Sequence, residues 1–197
     1  MKGLADKEME ILSLLLKDFS TDYNANSITK KIKITPAGAF KAFKRLEKRK
    51  LVVSKKMGKA TFYKANLDEY HSFRTLEILL IDEARNSASR WIFEFRDLLD
   101  KVETAIVFGS IIKTPEKAND IDILLVLKKE KNEAVNKIIE ERRKISNKPI
   151  HVIKQTPSDL LKNLKKKDKV VLNAIKNGQV LCGCDKLLEV LKDAASF

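Results

Sequence analysis

The chain has 197 residues, room for one large domain or two small ones, and 44% of them are hydrophobic, which excludes wholesale disorder. No apolar run approaches the ~20 residues that span a bilayer, and the segment Met1–Asp6 lacks the apolar stretch of a signal peptide, so no membrane partner and a cytoplasmic location are expected. The 40 Lys and Arg against 27 Asp and Glu give a net charge of +13, which disfavours a basic partner and points to a polyanion.

In chain order, residues 6–18 place Met9, Leu12, Leu15 and Leu16 on one helical face, with Lys7, Glu8, Lys17 and Asp18 outside and Asp6 as N-cap. Residues 27–32 predict a short second helix. Thr35 suits the N-cap of a third helix and Pro36 its first position, where the missing N–H costs nothing. That helix runs to about Lys50, with Ala39, Phe43 and Leu46 as its buried stripe. Residues 51–54 and 60–64 read as two strands, with Lys55–Lys59 as the hairpin tip and Gly58 supplying the turn.

Three helices and a basic hairpin resemble the winged helix-turn-helix domains of bacterial and archaeal regulators. That resemblance implies DNA binding, or RNA binding, through the third helix and the wing. The positions it points to here are Thr35, Lys41, Lys44 and Arg45 on the helix and Lys55, Lys56 and Lys59 on the hairpin. Lysine and arginine neutralise phosphates and so give affinity without reading sequence. Members of that family commonly carry Gly just before the Leu-Val that opens the wing; here that position is Lys50. The charge distribution agrees. Residues 1–67 carry 16 basic and 6 acidic residues, residues 68–100 carry 4 and 8, and residues 101–197 carry 20 and 13. A solvated lysine face, or a protein-binding role, is the competing reading.

The acidic segment 68–100 reads as a helical connector. A long helix starts at Asp68-Glu69-Tyr70, with Phe73, Leu76, Leu79, Leu80 and Ala84 on one face. It bends or breaks at Asn86–Ser89, and Trp91, Phe95, Leu98 and Leu99 continue the apolar theme. Core packing is the plain reading. Winged-helix proteins often dimerise through such helices, so a homodimer is a candidate assembly.

In the last half, the apolar run Thr104–Phe108 ends in Gly109-Ser110. Asp120-Ile121-Asp122 then flows into Ile123–Leu127. Strand alternation puts Asp120 and Asp122 on one face. Two carboxylates so placed repel unless a cation lies between them, and Mg2+ or Mn2+ suits such oxygen ligands. Gly109 lets a phosphate approach the backbone, and Ser110 offers an N–H and a hydroxyl. This pattern resembles the DNA-polymerase-beta-like nucleotidyltransferase superfamily, and in particular its minimal branch. The resemblance implies that Gly109 and Ser110 bind a nucleoside triphosphate, and that Asp120 and Asp122 are catalytic and hold the metal. Active members usually have a third carboxylate on the next strand. Here that strand is Pro149–Lys154, which has no Asp or Glu, and His151 stands nearest the expected place. A histidine there can accept a proton, bind a metal, or simply face solvent. Asp159 belongs to a helix start, Thr156-Pro157-Ser158-Asp159. Residues 170–175 read as a helix stopped by Asn177-Gly178, then a short strand at 180–183 and a final helix around Leu187–Leu191. Cys182 and Cys184 can neither build a disulfide framework nor fill a tetrahedral zinc site, and read as small core residues.

The expected fold class is therefore α+β with two domains: a winged helix-turn-helix at 1–67, a helical connector at 68–100, and a nucleotidyltransferase-type mixed sheet with flanking helices at 101–197. Three functions stay open. One is transfer of a nucleoside monophosphate to an acceptor. One is a DNA-binding regulator whose second domain senses nucleotide without turnover. One is the antitoxin-like role of some minimal nucleotidyltransferases, in which a partner protein, toxin-like, is the acceptor.

Overall fold

A computed structural model describes residues 3–195. The chain divides into two compact units, one running to Leu79 and the other spanning Leu80–Ala194. The architecture is α+β, with a two-stranded sheet in the first unit and a four-stranded sheet in the second.

The first unit contains α1 (Asp6–Lys17), a 3-10 turn (Ser27–Lys30), α2 (Pro36–Lys48), and a hairpin of β1 (Val52–Met57) and β2 (Ala60–Ala65). Helix α3 (Tyr70–Ser87) begins within it. Helix α1 buries Ile11, Leu12, Leu15 and Leu16. Its N-cap is Ala5 rather than Asp6. Alanine has no side-chain oxygen, so Glu8 reaches back and accepts the Ala5 N–H at 3.1 Å. Glu8 is thereby buried, against the outward position expected for it, and it also accepts from Arg45 Nε at 2.5 Å. Burial opposes ionisation of Glu8. The Arg45 and Ala5 hydrogen bonds and the charges of Arg45 and Arg49 outweigh it and hold the carboxyl below its ordinary pKa. Asp18, also expected outside, is buried because Tyr23 and Thr21 donate to it at 2.6 and 2.9 Å.

The second helix shrinks to a single turn. Asn24 Oδ1 accepts the N–H groups of Asn26 and Ser27 at 2.9 and 2.8 Å, a local side-chain turn that competes with helix propagation. Thr35 caps α2 as expected, accepting the Gly38 N–H at 3.1 Å, with Pro36 in the first turn. Helix α2 buries Ala39, Ala42, Phe43 and Leu46. Its end is closed by Lys50 N–H to Glu47 O and Leu51 N–H to Leu46 O, both 2.9 Å, the paired bonds of a Schellman ending. Lys50 takes the left-handed position in that motif, with φ of 58°, where glycine is usual. The hairpin turns on two residues, Gly58 and Lys59, and Gly58 has φ of 61°. So tight a turn leaves Lys55 and Lys56 within β1, opposite Phe62 and Thr61, rather than in the tip. The Phe43 and Tyr63 rings stack with centroids 4.0 Å apart, joining α2 to β2.

The second unit holds α4 (Ser89–Glu94), α5 (Arg96–Leu99), β3 (Thr104–Phe108), α6 (Ser110–Lys113), β4 (Ile121–Val126), α7 (Asn132–Ile145), β5 (Ile150–Gln155), α8 (Pro157–Lys165), α9 (Lys169–Asn177), β6 (Gln179–Cys182) and α10 (Cys184–Ala194). The strand order is β5-β4-β3-β6. Strands β3 and β4 are central and, apart from Thr104 and Asp122, apolar on both faces. One face presents Ala105, Val107, Ile121, Ile123, Leu125 and Ile150 to Trp91, Phe95, Leu98, Val135 and Ile139, so the tryptophan is core as expected. Thr156 and Asp159 cap α8 reciprocally, which accounts for that carboxylate. Cys182 and Cys184 are free thiols, and burial pushes the Cys182 thiol up to about 11. No helix among the described residues is long and apolar enough to cross a membrane.

Candidate active site

The sheet topology brings three separate segments to one end. Strands β3 and β4 are antiparallel, so the exit of β3 lies beside the entry of β4, and Phe108 pairs with Asp122. Strands β4 and β5 are parallel, joined through α7, so the entry of β5 returns to the same end and Asp122 pairs with His151. Phe108, Asp122 and His151 therefore form one row across the sheet. Paired residues share a face, opposite to that of Ile121 and Ile150.

Gly109, next after Phe108, has φ of 85° and ψ of −159°. The Asp122 carboxylate lies directly against it: a Cβ on Gly109 would sit 2.4 Å from Asp122 Oδ2. The bare backbone is thus required both by its conformation and by its neighbour. Ser110 follows, exposed, as the first residue of the short α6.

Asp120 stands just before β4, and its carboxylate converges with that of Asp122 on the His151 ring. His151 Nδ1 lies 3.4 Å from Asp120 Oδ2 and 3.6 Å from Asp122 Oδ1. One donor atom from each of the three residues falls within 4.8 Å of the others. Burial raises the Asp122 pKa, the charge of Asp120 raises it further, and His151 opposes both. The donor chemistry, two carboxylates and an imidazole beside a glycine that leaves room, fits a divalent cation. Such a cation, when bound, neutralises charge on phosphate oxygens.

A cavity of about 320 Å³ lies at the same end of the sheet. Its walls include Trp91, Phe95, Ile111, Ile121 and Ile150. Those strand residues face away from Asp122 and His151, so the cavity is not this carboxylate site.

Residues 92–187 match the family model described as polymerase beta, nucleotidyltransferase. The second unit carries a nucleotidyltransferase-fold domain. The geometry of that domain gathers Gly109, Asp120 and Asp122, three of the four residues singled out from sequence, and adds His151, whose role the sequence left open. Among solved structures the chain is similar to a mutant of Lactococcus lactis ZitR, at 16% identity, over 73% of this chain and 76% of that one, with a TM-score of 0.34. No curated protein matches the chain.

The basic residues of the first unit are more divided than the sequence implied. Lys41 and Lys44 are exposed one turn apart on α2. Lys44 also pairs with Glu47 at 2.8 Å and lies over the exposed Phe40 ring at 5.9 Å. Arg45 is engaged by Glu8, and the Thr35 hydroxyl is used as a cap. Strand alternation sends Lys55 and Lys56 to opposite faces of the hairpin, with Lys59 in the turn.

Proposed function

We propose that the nucleotidyltransferase domain transfers a nucleoside monophosphate from a nucleoside triphosphate to an acceptor hydroxyl, with Mg2+ or Mn2+ held by Asp120 and Asp122. The observation that carries this reading is the contact of Gly109 with Asp122. It sets a backbone conformation that glycine alone readily adopts directly beside a carboxylate that a cation would stabilise. In the reaction the acceptor oxygen bonds to the α-phosphorus, the bond to the β-phosphate bridge breaks, pyrophosphate leaves, and the acceptor proton passes to water. Gly109 and Ser110 would seat the triphosphate, and Asp120 and Asp122 would orient its α-phosphate. The test is incubation with each α-labelled triphosphate and divalent cation, offering protein, nucleic acid and cell lysate as acceptors. Label transfer lost in Asp120→Asn and Asp122→Asn supports the reading; transfer unaffected by both variants refutes it.

One observation favours a second reading, nucleotide binding without turnover: β5 presents His151 where the resemblance places a third carboxylate. Nucleotide-dependent binding of nucleic acid with no label transfer would support it.

We further propose that the first unit is a winged helix-turn-helix that binds DNA through α2 and the hairpin. The exposed Lys41, Lys44, Lys56 and Lys59 and the basic excess of residues 1–67 support this. Each phosphate-contacting lysine replaced by alanine should weaken binding across all sequences and lower the salt slope by about one. A gel shift that shows no binding at low salt would refute it.

A further inference from the structure

Resting on the reading of Asp120 and Asp122 as a cation site, we infer that His151 completes that site as a third ligand. Of the two cations proposed for the site, the imidazole favours Mn2+ over Mg2+, and it favours later first-row cations such as Co2+ or Zn2+ more strongly still.

Three observations carry this. The first is distance. Donors held about 2.1 Å from a cation are about 3.0 Å apart along an octahedral edge and about 3.4 Å apart along a tetrahedral one. His151 Nδ1 stands 3.4 Å from Asp120 Oδ2 and 3.6 Å from Asp122 Oδ1, so its nitrogen is already close to one polyhedron edge from each carboxylate. The second is placement. His151 sits within β5, paired with Asp122 in a parallel ladder that runs from Ile121↔Ile150 to Val126↔Gln155, so the imidazole is delivered by sheet register and not by a mobile loop. The third is what is absent from the strand. Between Ile150 and Gln155 there is no carboxylate, so β5 offers the cluster an imidazole and no oxygen ligand of that kind.

The selectivity follows from ligand chemistry. Mg2+ takes oxygen ligands, demands near-octahedral geometry and gives up its waters reluctantly. Imidazole is a softer donor that suits iron, cobalt, nickel and zinc, and affinity at a site with nitrogen rises along the first row from manganese. Exchanging an expected carboxylate for imidazole removes one negative charge and adds one nitrogen, and both changes penalise Mg2+ relative to Co2+.

The competing account is that His151 is only a counter-charge for the two carboxylates. The two accounts give opposite results when the ring is removed. A third ligand lost means weaker Co2+ binding; a competing cation lost means equal or stronger binding.

The experiment is calorimetric titration of the full chain with Co2+ and with Mg2+, alongside the proton NMR spectrum of the Co2+-loaded protein. His151→Gln should lose Co2+ affinity by about tenfold or more, since even indirect partners of metal ligands cost that much, and Mg2+ affinity should change far less. His151→Asp, which restores an all-oxygen set, should shift the Co2+-to-Mg2+ affinity ratio toward Mg2+ by a similar factor. A far-downfield, solvent-exchangeable imidazole proton should appear with Co2+ and vanish in His151→Gln. It should persist in His71→Gln, which removes the chain's other histidine. The His151 side chain is 60% exposed, so these variants should fold. Unchanged Co2+ affinity in His151→Gln, with binding still lost in Asp120→Asn and Asp122→Asn, overturns this inference and leaves the Asp pair standing. Co2+ binding unaffected by the Asp variants overturns the cation site itself, and this inference with it.

Discussion

Replacing Gly109 with alanine puts a methyl group where the Asp122 carboxylate now lies. Two costs follow. The backbone at φ 85° and ψ −159° is in a region that is essentially glycine's alone, and holding alanine there costs about 1–3 kcal/mol. The added Cβ would also stand 2.4 Å from Asp122 Oδ2 and 3.4 Å from its Cγ, so the carboxylate must rotate out of its place beside His151. Gly58→Ala separates the two costs. Gly58 has φ of 61° with nothing within 4 Å of an added Cβ, so its loss of about 1–2 kcal/mol reflects the backbone alone. With a urea slope of about 1–3 kcal/mol/M, a loss of about 2 kcal/mol lowers the midpoint by roughly 1 M. The assay is urea unfolding by circular dichroism, with fluorescence of Trp91, the chain's single tryptophan, reporting on the second unit. A Mn2+ titration of each folded variant completes it. Gly109→Ala should lower both the midpoint and the Mn2+ affinity, the latter by about tenfold. Gly58→Ala should lower only the midpoint. A Gly109→Ala protein with wild-type Mn2+ affinity would refute the placement of Asp122 against that backbone.

Lys50→Gly should raise stability by about 0.5–1 kcal/mol, read as a higher Tm, because Lys50 holds the left-handed position of a Schellman ending at φ 58°. Arg45→Ala should cost about 1–3 kcal/mol at neutral pH, because it strands a buried Glu8 carboxylate. Under the proposed DNA-binding reading, any loss of binding in this variant would come in part through the fold, so urea unfolding must accompany its gel shift. The Glu8 carboxyl is held below its ordinary pKa, so its contribution is present above the ordinary carboxylate range. That contribution is lost as the pH falls through the lowered value, and Glu8→Gln should flatten this acid limb of the stability profile. Cys182, with its thiol pushed up to about 11, should resist maleimide at pH 7 in the folded protein and react once urea unfolds it.

Local signals are legible in the sequence. Thr35-Pro36 and Thr156-Pro157-Ser158-Asp159 each mark a helix start because the capping oxygen and its N–H partner lie within one turn. The run Thr104–Phe108 is a strand with those same bounds, since its β-branched and apolar residues have no polar face to offer a helix surface. Sequence and structure part where a polar residue's partner is distant. Glu8 keeps its charge in a buried position because Arg45, 37 residues on, reaches it as well as the local Ala5 N–H. Lys50 looks wrong for a helix end because a side chain in the left-handed region is uncommon, yet the bonds to Leu46 and Glu47 outweigh its cost.

The same distinction explains why three site residues are legible and the role of the fourth, His151, is left open by the sequence. Gly109, Asp120 and Asp122 lie on or beside the facing ends of one antiparallel pair of strands consecutive in the chain, whose ladder sets Phe108 opposite Asp122. His151 arrives on a parallel strand through α7, and its position depends on register. Slipping β5 by one residue would turn His151 to the opposite face and set an isoleucine or a valine beside Asp122. What prevents the slip is the burial of Ile150, with Val152 packed beside it, against the core that contains Ile139 and Ile121. The apolar residues flanking the histidine, which look like ordinary core, are what aim it at the carboxylates. The motif names the paired aspartates, and the hydrophobic pattern of β5 decides what chemistry stands opposite them.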